Sequence, residues 1–165
     1  MADELLDIVN KQDEVIGQKL RSEVYSKQLS NFRVVNAFLI NKEGKLWIPR
    51  RTKEKRVFPS CLDASMGGHV AAGETYEKAL ARELMEELRI DVQNCSCKCI
   101  GSLTPHQHNT SAFMKVYVLQ TDETPNYNTK DFVEFFWLKP EDVLDRLESG
   151  DRSKNDLPII IREFF

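Results

Sequence analysis

The stretch GGHVAAGETYEKALARELMEELRI, Gly67 to Ile90, decides how this chain is read. Its first part, Gly67 to Glu74, is rich in glycine and has no apolar period, which marks a loop. From about Thr75 to Leu88 the spacing predicts a helix. Leu80, Leu84 and Leu88 recur every four residues and make an apolar stripe that must dock on a sheet. Beside that stripe Glu83, Glu86 and Glu87 stand at i, i+3 and i+4, so their carboxylates share one face. Like charges so spaced repel one another. A hard divalent cation relieves the repulsion, and Mg2+ favours such oxygen ligands. Taken alone, the three glutamates are equally consistent with a solvated acidic face.

Outward from this stretch the pattern is mostly of strands. Asp7–Asn10 and Glu14–Gly17 flank a polar turn and read as a short hairpin, and residues 18–30 as a short helix or covering loop. Asn31 to Ile40 is apolar enough for a strand buried on both faces, and after the turn Asn41-Lys42-Glu43-Gly44 its partner returns over Lys45 to Pro49. Further strands are expected through Cys95–Leu103, Ala112–Thr121 and Val133–Leu138. Pro140 opens another helix, and a last one lies around Leu157 to Phe164. Strands with few helices and mixed connection lengths indicate an α/β or α+β sandwich.

The chain has 165 residues, 41% hydrophobic and 30% charged, which suits one domain with a real core. Residues 1–30 are expected to be a hairpin and covering segment of that domain, with 31–165 as its body. The formal net charge of -3 argues against a dedicated nucleic-acid binder. No apolar run reaches the ~18 residues of a membrane span, and the acidic start lacks the features of a signal peptide. A cytoplasmic location follows as the expectation, with no membrane partner. Cys95, Cys97 and Cys99 would share one face of a strand; without further ligand pairs they read as small buried hydrophobes rather than a metal site.

Read as G-x5-E-x7-R-E-U-x-E-E-x-x-U, residues 68–90 closely resemble the Nudix box of the Nudix hydrolases, with Arg89 where the family usually has glycine. The resemblance implies a Nudix-type α/β/α sandwich with a mixed central sheet. It also implies hydrolysis, with Mg2+ or else Mn2+, of a diphosphate linkage in a nucleoside diphosphate-type substrate. By the same resemblance Glu83, Glu86 and Glu87 match the metal-binding glutamates, and the Gly67 carbonyl the usual main-chain ligand. Arg82 and Glu74 match the pair that ties helix to loop. The base would be Glu86 or Glu87, or, outside the box, Glu134. Arg89 is expected to alter local geometry at the helix end or to let the helix run on, without touching a ligand.

Residues 5–90 also resemble isopentenyl-diphosphate isomerase and its Nudix relatives, through the hairpin segments, the Arg51–Pro59 stretch and Asp63–Val70. In that group Arg51 and Lys55 would contact the substrate diphosphate; His69, left without the group's partner histidines, is expected to be a structural or substrate-contacting residue. The isomerase's catalytic cysteine, however, falls on Gly67, which has no group to carry a proton. A hydrolase on an isomerase-like frame is therefore expected, ahead of an isomerase or a non-catalytic nucleotide-binding module. Oligomeric state is not legible in the sequence.

Overall fold

A computed structural model describes residues 2–165. Strands β1 (Leu5–Val9) and β2 (Val15–Leu20) form the N-terminal hairpin, followed by a short helix α1 (Arg21–Ser26). The body is a six-stranded mixed sheet of β3 (Arg33–Ile40), β4 (Leu46–Arg51), β5 (Met66–His69), β6 (Cys97–Leu103), β7 (Phe113–Gln120) and β8 (Phe132–Leu138). The strand order is β6-β7-β3-β4-β8, with β5 added on β3; the β3–β7 pair is parallel and the others antiparallel.

The central strand β3 splits its free edge between two neighbours. It meets β4 only at Ile40↔Leu46, while β5 pairs with Val34 to Ala37. In the gap Ser65 replaces ladder bonds, accepting from the Leu39 amide at 2.9 Å and donating to the Trp47 carbonyl. A buried hydroxyl thus satisfies backbone groups that would otherwise be orphaned.

Each sheet face carries its own core. Helix α2 (Tyr76–Glu83) and the π turn Leu84–Leu88 that continues it lay Tyr76, Ala79, Leu80, Leu84 and Leu88 on Val35, Ala37, Leu39 and Trp47. After a single-turn helix α3 (Pro105–His108) between β6 and β7, α4 (Pro140–Glu148) and α5 (Asp156–Phe164) cover Phe38, Leu46, Ile48, Met114 and Val116 on the opposite face. The result is the expected sandwich of helices on a mixed sheet. A third cluster, Leu6, Ile8, Val24, Phe32 and Ala112, fastens the hairpin to the body. At the hairpin turn Asp13 accepts from Tyr76 Oη and Arg33 Nε, both at 2.7 Å, and so pins the hairpin to the start of α2.

Most elements lie within a few residues of their expected places, and three details differ. Strand β5 falls in the glycine-rich stretch expected to be loop. The expected helix ends in a π turn rather than a regular α turn, a device common at functional sites. The cysteines are only partly buried: Cys97 packs on the core edge, Cys99 is exposed, and a bulge between Cys99 and Gly101 breaks the alternation. No described helix is long and apolar enough to cross a membrane.

Candidate active site

The site is built where β5 passes the end of α2. Thr75 caps the helix, accepting from the Lys78 amide at 3.1 Å, so α2 begins at a fixed point after the loop. Arg82, in its last turn, reaches back across that loop. Its Nε and Nη2 grip the two Glu74 oxygens at 2.8 and 2.9 Å, and Nη2 also donates to the His69 carbonyl at 3.0 Å. Glu74 in turn accepts from the Ala71 amide at 2.8 Å. Helix, loop and strand are thereby locked by one bidentate ion pair.

The third nitrogen of Arg82, Nη1, donates to Glu83 at 2.8 Å and lies 3.6 Å from Glu86. Glu83 is pressed against the backbone of Gly68: a Cβ at that position would stand 2.2 Å from the Glu83 carboxyl carbon. Only glycine permits the approach. At Gly67 a Cβ would come within 2.9 Å of Asn36 Oδ1. The two glycines that hid β5 in the sequence are thus demanded by the groups they face.

The three box glutamates differ in environment. The Glu83 side chain is 13% exposed, and that of Glu86 is 58% exposed. Burial, and to a lesser extent Glu86 and Glu4, push the Glu83 carboxyl up to about 7, although Arg82 opposes this. Burial also raises Glu87 well above the carboxylate range, helped by the charges of Glu83, Asp63 and Asp131 and opposed by Lys55. Carboxylates this crowded suit a cation. The donors are all hard oxygens, which fits Mg2+ or Mn2+ and not a thiolate-seeking metal. As the side chains stand, no group of three acidic, histidine or cysteine side chains among the described residues is arranged to hold a metal ion. Arg82 Nη1 already engages one oxygen of Glu83 and lies beside one of Glu86.

Other singled-out residues are placed as follows. Arg51 is spent inside its own loop: it donates to the Val57 and Phe58 carbonyls and, at 2.9 Å, to the buried Asp63. Its guanidinium supports the loop. Lys55 holds Asp131 at 2.6 Å and lies within electrostatic reach of Glu87. His69 stacks on Phe32, receives a 2.8 Å hydrogen bond with Tyr25 Oη, and is held near a pKa of about 3 by burial. It is a neutral wall residue. Glu134 pairs with Arg50 at 2.6 Å, and Arg50 reaches on to Asp151 and Phe136 on the α4 side of the sheet. Glu134 thus lies on the sheet face away from α2, apart from Glu83, Glu86 and Glu87. Arg89 does not extend the helix. It takes a left-handed conformation (φ 53°, ψ 38°), as the glycine of the box pattern would.

Three further acids act on the site. Glu4 comes from the N-terminal segment, and its charge is felt by Glu83. Asp63 and Asp131 both bear on Glu87. Glu4 and Asp131 arrive by tertiary folding from regions without a motif, whereas Asp63 opens the Asp63–Val70 stretch, whose resemblance gave it no role of its own.

A model of the NUDIX domain matches residues 30–156. An uncharacterised Nudix hydrolase of Nostoc sp. is 54% identical over 162 residues, covering 98% of this chain and 96% of its own. A Nudix hydrolase of Deinococcus radiodurans is 45% identical across 100% of this chain and 96% of its own length. An isopentenyl-diphosphate Delta-isomerase of Kocuria rhizophila is more distant, 25% identical over 87% of this chain and 82% of its own. Among solved structures, the crystal structure of DR0079 from Deinococcus radiodurans superposes with a TM-score of 0.93 at 45% identity, over 98% of this chain and 99% of that one. With its box loop, box helix and sandwich in place, the chain belongs to the Nudix hydrolase family.

Proposed function

We propose that the protein hydrolyses a diphosphate linkage in a nucleoside diphosphate-type small molecule, using Mg2+, with Mn2+ as a substitute. The observation that carries this is the set of three carboxylates, Glu83, Glu86 and Glu87, crowded at the end of one helix, with Glu83 against the backbone of Gly68. Bound there, together with the Gly67 carbonyl, a divalent ion would neutralise phosphate oxygens and acidify an attacking water.

The chain's own groups divide the rest of the work. Arg82 and Glu74 hold the glutamates in register. Lys55, the cation whose charge acts on Glu87, supplies positive charge toward the phosphates. Glu86, the most open of the three, or Glu87 beside it, accepts the proton from water.

The isomerase reading has the distant relative in its favour and Gly67 against it. A Cβ there would lie 2.9 Å from Asn36 Oδ1, a side-chain end that can shift, so the weight against the isomerase is that glycine has no group to carry a proton. The test is phosphate or pyrophosphate release from nucleoside di- and triphosphates, nucleotide sugars and isopentenyl diphosphate, with Mg2+, comparing wild type with Glu86→Gln. Release that collapses in the variant supports the proposal. Isomerisation of isopentenyl diphosphate without hydrolysis would replace it, and silence on every compound would leave a binding module.

A further inference from the structure

Arg89 departs from the box pattern, and the structure shows what its side chain does. Its backbone sits in the left-handed region at φ 53°, where a side chain is strained. Its Nη1 donates to the carbonyls of Asn126, at 2.8 Å, and Tyr127, at 3.2 Å. Next along the chain, the Asn128 amide donates to the Glu87 carbonyl at 2.8 Å. Residues 126–128 are therefore sewn onto the end of the box helix from both sides.

That segment leads directly to Asp131. The Asp131 carboxylate takes Lys55 Nζ at 2.6 Å, and its carbonyl takes the Thr52 amide at 3.1 Å. The Asp131 amide donates to the Asn128 carbonyl at 2.9 Å, so the contacts run from Arg89 through residues 126–131 to Lys55, whose charge acts on Glu87. Glycine at position 89 would meet the backbone's demand without strain and supply none of these contacts.

We propose that Arg89 is a positioning residue: it fixes residues 126–131 on the helix end so that Asp131 holds Lys55 at the catalytic carboxylates. The inference rests on the reading of Lys55 as the phosphate-facing cation. A single nitrogen, Nη1, makes both bonds, so the hold depends on charge and reach, which the shorter lysine side chain supplies only in part.

The test uses Arg89→Gly, Arg89→Lys, Lys55→Met and the Gly/Met double variant. Without substrate, amide exchange at Asn128 and Thr52 reads the hold directly, and Arg89→Gly should lose about tenfold or more of its protection there. With whichever diphosphate the wild type hydrolyses, Arg89→Gly should raise KM about five- to tenfold and leave kcat within about twofold, the scale of one charged hydrogen bond. Arg89→Lys should recover part of the loss. In the Lys55→Met background, removing Arg89 should add less than about twofold, because both act through one contact. Unchanged exchange at both amides, an unchanged KM, or effects that multiply in full would each overturn the proposal. A wild type that hydrolyses nothing would refute the proposed function, and the exchange measurement would still decide whether Arg89 holds the segment.

Discussion

Replacing Gly68 by alanine should separate folding from catalysis at this site. The new methyl carbon would lie 2.2 Å from Glu83 Cδ and 2.4 Å from Cγ and Oε1. Ordinary carbon contacts begin near ~3.5 Å, so the overlap exceeds ~1 Å and something must move. Moving β5 would break its register with Val35 on β3, whereas swinging the Glu83 side chain outward gives up the 2.8 Å bond from Arg82. The second route is cheaper. Losing that bond and repacking the carboxyl should cost about 1–3 kcal/mol, a fall in Tm of roughly 2–10 °C in a chain of this size. Catalysis should suffer far more. Misplacing a catalytic group by about 1 Å is enough for a 100-fold loss, so kcat/KM should fall by about that factor or more. The assay is Mg2+-dependent phosphate release beside a thermal melt, with Gly17→Ala as control, since a Cβ at Gly17 meets nothing within 4 Å. A Gly68→Ala protein with wild-type kcat/KM would refute the reasoning.

Further outcomes follow from other contacts. Because the Glu83 carboxyl is pushed up to about 7, the metal-free protein holds a proton that its unfolded chain has released. That contribution to stability is complete below the unfolded value near 4.5 and disappears as pH rises through about 7. Glu83→Gln should therefore stabilise the metal-free protein at pH 8 by about 1–3 kcal/mol in urea melts, while abolishing Mg2+-dependent turnover. Asp151 behaves oppositely. Arg50, bonded to it at 2.9 and 3.0 Å, pulls its carboxyl down to about 2 from 3.8, so stability present at neutral pH should be lost as pH falls from about 4 to about 2, a slope that Asp151→Asn removes. At Gly101 a Cβ would stand 2.4 Å from the Phe164 ring. Gly101→Ala should displace the last helix and cost about 1–3 kcal/mol by calorimetry, with kcat unchanged because α5 lies on the face away from α2.

The parts that sequence made legible are those whose chemistry is local. Leu80, Leu84 and Leu88 mark the docked face of the box helix because a helix repeats every turn, and all three are buried there. Glu83, Glu86 and Glu87 share a face for the same reason. What was hidden depends on partners far away in the chain. Met66-Gly67-Gly68-His69 looks like loop because glycine disfavours strands, yet the close approach of Asn36 and Glu83 requires those glycines. Arg51 looks like a free phosphate ligand until Asp63 and two loop carbonyls are seen around it. Glu134 offers a carboxylate outside the box, but strand alternation sets it on the face of Phe136, where it pairs with Arg50. Glu4 and Asp131 carry no motif at all; only folding brings them to the box.

The most direct measurement strips divalent ions from the protein with a chelator and titrates Mg2+ back, following hydrolysis of a nucleoside diphosphate-type substrate. Wild type is compared with the triple variant Glu83→Gln, Glu86→Gln, Glu87→Gln, which keeps the shape of the site and removes its charge. Activity that returns with Mg2+ in the wild type alone is the expected result. Equal hydrolysis by the triple variant, or hydrolysis by the stripped wild type that Mg2+ does not change, would contradict the assignment of the chemistry to these carboxylates.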